Sequence, residues 1–111
     1  MKKIFENWVL PVWHHDFGDP VLEFNLLKNF VSASSQKLPQ LDYKLDAFEE
    51  GYLCVVVLHN QRKIAELHVT NTEAQELSLF LFDSSGDDLK EMTFRSFDSG
   101  IFFLGNFLKD N

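Results

Sequence analysis

At Leu41 the apolar residues fall into an alternating pattern, and no other feature of this chain narrows its fold so far. Leu41, Tyr43, Leu45 and Ala47 alternate with Asp42, Lys44 and Asp46. A period of two sends successive side chains to opposite faces, so this segment reads as a half-buried strand with one wet face. Glu49, Glu50 and Gly51 then turn the chain. Tyr52 to Leu58 follows as an unbroken apolar run, rich in β-branched valine and of strand length. It is expected to cross the middle of a sheet with both faces covered. Asn60 and Gln61 suit a tight hairpin, and Lys63 to Thr70 sets Ala65, Leu67 and Val69 against Ile64, Glu66 and His68. Leu77 to Phe82 is a further strand, apolar on both faces, and residues 83–88 are rich in turn-forming Asp, Ser and Gly. A fifth strand is placed at Glu91 to Ser96.

Helical signals flank this region. Lys2 to Leu10 reads as a short helix ending before Pro11. Asp19 has the character of an N-cap and Pro20 of a first helical residue, where its missing N–H costs nothing. A helix over 20–32 follows, with Phe24, Leu27, Phe30 and Val31 in one stripe. Ser32 to Gln40 reads as a polar connection. At the other end Ile101, Leu104 and Leu108, with Phe103 and Phe107, predict a C-terminal helix capped near Asp98 or Ser99, although Gly105 lowers its propensity. The fold class is therefore α+β: one domain over residues 1–111, an antiparallel meander of four or five strands flanked by an N-terminal and a C-terminal helix.

The composition suits an ordered core. Hydrophobic residues make up 45% of the chain, with twelve Phe, two Trp and two Tyr. That is far more than a disordered acidic tail carries, and the length is enough to bury a core unaided. The single cysteine, Cys54, lies in the apolar run and excludes an intrachain disulfide. Polar residues from Glu6 to Asp16 interrupt any signal-peptide core, and no uncharged run approaches a membrane span. A soluble, cytoplasmic protein is expected.

Chemical motifs are missing. Zinc ligands are imidazole and thiolate, but His59 and His68 fall roughly 20 Å apart on a hairpin, and Cys54 has the opposite parity to His59. On that reading the cysteine joins neither histidine, and His14, His15 and Asp16 form a solvated loop. Ser32, Ser34 and Ser35 lack a nucleophile elbow. The glycines show no nucleotide-binding spacing, and residues 83–88 lack the ligand order of a calcium loop. No catalytic residue, cofactor or metal is assigned, and the chain reads as a non-enzyme.

Charge is the remaining signal. Seventeen acidic residues stand against ten basic ones, a net charge of −7. Such a surface attracts basic partners and repels nucleic acid. The candidate contact residues are Asp83, Asp87, Asp88 and Glu91 about one turn, Glu49 and Glu50 about another, and Asp42, Asp46 and Glu66 on an exposed sheet face. Trp8, Trp13 and Phe17 are aromatic candidates, with Trp13 the interface anchor and core packing the competing role. The state is a monomer, or a homodimer that buries the Phe80 and Phe82 face.

In size, acidity, single free cysteine and lack of catalytic motifs, the whole chain resembles the small immunity proteins that bacteria encode beside polymorphic or contact-dependent growth-inhibition toxins. The resemblance implies tight, stoichiometric binding that neutralises a cognate toxin domain, often a basic nuclease. It carries over no individual residue. Two other readings stay open: a small ligand-binding or enzymatic domain with His14, His15 or His68 in a pocket between helix 20–32 and the sheet, and a structural adaptor subunit.

Overall fold

The computed structural model describes Phe5, Trp8, residues 20–47 and residues 53–110. It is an α+β fold in two layers. A helix, α1 (Pro20–Lys37), precedes five antiparallel strands in sequential order, and a second, α2 (Phe97–Asp110), follows them. The strands are β1 (Asp42–Ala47), β2 (Leu53–His59), β3 (Arg62–Asn71), β4 (Glu76–Phe82) and β5 (Asp88–Phe94). The short helix expected over 2–10, the Asp19 cap and the 49–51 turn fall outside the described residues.

Both helices pack on one face of the sheet. Leu27, Phe30 and Val31 of α1 and Ile101, Leu104 and Phe107 of α2 form one buried cluster with Tyr43, Val55, Val57, Leu67, Leu77, Leu79, Leu81 and Phe94. A continuous core of this kind follows from strand alternation on one side and helical stripes on the other. The expectation that β2 is covered on both faces holds only in part, since Cys54 on the outer face is buried but its neighbours there are not. Its Val55 and Val57 are buried under the helices, while Val56 and Leu58, pointing the other way, are only half-buried.

The bounds of α1, β5 and α2 also differ from the sequence reading. The helix expected over 20–32 runs on to Lys37. Ser34 hides this in the sequence, for it occupies the next stripe position after Leu27, Phe30 and Val31 yet is polar. It is fully buried, and its hydroxyl shares a 2.5 Å hydrogen bond with the Tyr43 hydroxyl. A satisfied hydroxyl is tolerated in a core. Burial pushes the Tyr43 phenol up to about 12, against the Ser34 hydrogen bond. The fifth strand lies at Asp88–Phe94 rather than 91–96, since the preceding turn is shorter than its composition implied. Within that turn Asp83 Oδ1 accepts hydrogen bonds from the Ser85 and Asp87 amides, and Gly86 takes a left-handed φ of 87°. The C-terminal helix begins at Phe97, ahead of the expected Asp98 or Ser99 cap.

Gly100 is held by packing. A Cβ there would meet the Phe94 ring at 2.5 Å, and that ring is already buried with its centroid 5.4 Å from the Phe30 ring. A Cβ on Gly105 would meet only Leu38, at an ordinary 3.6 Å. Both glycines are helical, so alanine brings each about 1 kcal/mol of propensity. At Gly100 overpacking outweighs this. Gly100→Ala is expected to lose about 1–2 kcal/mol, whereas Gly105→Ala gains about 0.5–1. Urea unfolding of the two variants checks the opposite signs.

Candidate functional site

The sheet face turned away from the helices carries the candidate site. Its composition follows from register. One row of facing residues runs Lys44, Val56, Glu66, Phe80 and Glu91 across the five strands, and the next runs Asp46, Cys54, His68, Ser78 and Thr93. Beyond them Asp42 faces Leu58, and Leu58 faces Lys63. The apolar members, Val56, Leu58, Phe80 and Phe82, sit half-buried on β2 and β4. The acidic Asp42, Asp46 and Glu91 stand on the edge strands β1 and β5. An apolar centre with a charged rim is the usual layout of a protein interface. Among the described residues, no helix covers this face.

Between the two apolar columns lies a polar group on β3. Glu66 makes an ion pair with Lys63, and its other oxygen accepts a hydrogen bond of 3.1 Å from His68 Nε2. Burial works to raise the Glu66 carboxyl, but hydrogen bonds and charge from Lys63 and His68 outweigh it and hold the group below its ordinary range. The Lys63 ammonium also sits 4.5 Å from the Phe82 ring centroid, and the His68 ring meets Phe80 edge-on. Ser78, fully buried, shares a 2.7 Å hydrogen bond with Thr93.

Cys54 belongs to this group, which corrects the expectation that it joins neither histidine. It stands directly opposite His68. A regular two-residue hairpin at Asn60 and Gln61 would place Leu67 opposite Cys54 instead. The register shifts by one between Val57 and Leu58, leaving Ile64 as the extra residue of a bulge. One residue of slip exchanges the two faces of a strand. The bulge therefore turns Leu67 into the core and brings His68, with Glu66, to the cysteine. Sulfur, nitrogen and oxygen ligand atoms from the three residues lie within 4.8 Å of one another. Cys54 is 1% exposed, and burial first, then the Glu66 and Asp46 charges, push its thiol up to about 12, with Lys63 pulling the other way.

The remaining candidates lie elsewhere. Asp83 is engaged by its own turn, Asp87 is exposed beside it, and Asp88 opens β5. Glu49, Glu50, Trp13, Phe17, His14 and His15 fall outside the described residues. Trp8 is partly buried, edge-on to Phe5 at 4.9 Å and near Phe24. A pocket between α1 and the sheet that uses His68 is excluded, because His68 is on the opposite face. A depression of about 340 Å³ does lie on the helical side, between Leu38 and Gln40 and α2 residues that include Phe102 and Leu108.

No protein-family model, curated protein or solved structure matches this chain. No helix among the described residues is long and apolar enough to cross a membrane.

Proposed function

We propose that the chain is a protein-binding module that uses its open sheet face to dock a basic polypeptide, in the manner of an immunity protein neutralising a toxin domain. One observation carries the reading: half-buried Val56, Leu58, Phe80 and Phe82 lie on the face the helices leave open, between edge strands that present Asp42, Asp46 and Glu91 there, with Lys44 among them. An antiparallel sheet that merely faced water would be polar there. The net charge of −7 supplies long-range attraction for a cationic partner. Asp42, Asp46 and Glu91 then act at the rim, where they orient the encounter, and the apolar centre sets the lifetime of the complex.

Affinity capture of the tagged protein from its native cells, at low and at moderate salt, tests this. The expected catch is one stoichiometric basic polypeptide whose toxic or nuclease activity disappears on binding. Recovery of the tagged chain with copies of itself alone would contradict the proposal and favour a homodimer through Phe80 and Phe82.

A further inference from the structure

We propose that Cys54, Glu66 and His68 form a binding site for a divalent transition-metal ion of the zinc type, with a fourth coordination position left to water. The donor set selects the ion. Thiolate and imidazole are poor ligands for calcium or magnesium, which take oxygen, whereas sulfur, nitrogen and one carboxylate oxygen are the ordinary ligands of zinc. About a tetrahedral zinc ion such donors stand roughly 3.5 Å apart, as the bond lengths require. Here they already lie within 4.8 Å, so rotamer adjustments complete the site without moving a strand.

The backbone makes the placement rigid. Glu66 and His68 are two residues apart on one face of β3, and Cys54 faces His68 from β2. Both strands are interior to the sheet. Access is through β3, whose Glu66 and His68 side chains are 22% and 24% exposed, while the sulfur lies beneath them. Lys63 now supplies the positive charge at Glu66, through an exposed side chain able to give way to a metal ion. On binding, the metal replaces the thiol proton, which is released to solvent. The site lies on the same open face as the docking proposal but requires no partner protein to bind its ion.

Cobalt(II) titration of the purified, chelator-treated full chain tests the site. The expected result is saturation at one ion per chain, with a near-ultraviolet thiolate-to-cobalt band that zinc abolishes by displacement. Cys54→Ser removes the band. His68→Ala, whose fold is checked by its urea midpoint, weakens binding by more than the roughly 10- to 100-fold typical of losing an outer-shell partner. A His14→Ala/His15→Ala variant keeps both band and affinity. No thiolate band on wild-type protein, or unchanged affinity in His68→Ala, overturns the proposal. So does loss of binding in the His14/His15 variant, which would locate the ion at the N-terminal histidines.

Discussion

Replacing Phe30 by alanine is expected to cost about 3–5 kcal/mol of folding stability, the usual range for a buried phenylalanine. Phe30 is fully buried in α1 and joins three elements: its ring lies 5.4 Å from Phe94 of β5 and 5.6 Å from Phe97 of α2. Losing it opens a cavity where both helices meet the sheet, and rigid strands on one side leave little room to collapse into it. A domain of this size is stable by about 5–15 kcal/mol, so the variant retains only part of its stability. Phe102→Ala on α2 is the control. That residue is 71% exposed, and its loss is expected to stay within about 0.5 kcal/mol. Urea midpoints at unchanged m-value give both numbers. A Phe30→Ala cost below about 1 kcal/mol would contradict the packing described.

The second large effect concerns association with the basic polypeptide that the docking proposal expects. Asp42→Lys with Glu91→Lys reverses two exposed acids on opposite edges of the open face and moves the net charge from −7 by +4 to −3. Glu73→Lys with Asp98→Lys, at exposed positions off that face, makes the same +4 change. If the open face is the contact, the first pair slows association about 10- to 100-fold at low salt, and the difference closes as salt is added. Dissociation changes little, because rim charges act mainly on the encounter. The second pair slows association much less. Equal slowing by both pairs, measured by stopped flow, would show steering by total charge and remove the argument for this face.

Much of this architecture was legible because period-two alternation from Leu41 onward and the turn residues at 60–61 and 83–88 leave few alternatives to an antiparallel meander. What escaped reading has two physical causes. Ser34 interrupts the apolar stripe of α1, and only its buried hydrogen bond to Tyr43 explains why the helix continues. The bulge at Ile64 is the larger omission: nothing in the residues 60–70 announces a one-residue slip, yet it decides that His68 rather than Leu67 meets Cys54. The open face was half visible. Alternation groups Asp42, Asp46 and Glu66 on one sheet surface, but the residues alone associate Glu91 with the 83–88 turn, because β5 starts at Asp88, three residues before the strand that the pattern predicts. Strand register, which depends on contacts distant in sequence, places it on the same face.

If a partner docks on the open face, β2 carries its own internal control. Val56 and Leu58 point to that face, and Val55 and Val57 point into the core. Methyl-resolved NMR of the protein titrated with its captured basic partner distinguishes the two sets within a single strand. Docking on the open face gives large shifts or broadening at the Val56 and Leu58 methyls, with small changes at Val55 and Val57. Unmoved Val56 and Leu58 methyls, with shifts at Leu108 beside the helical depression, would contradict it.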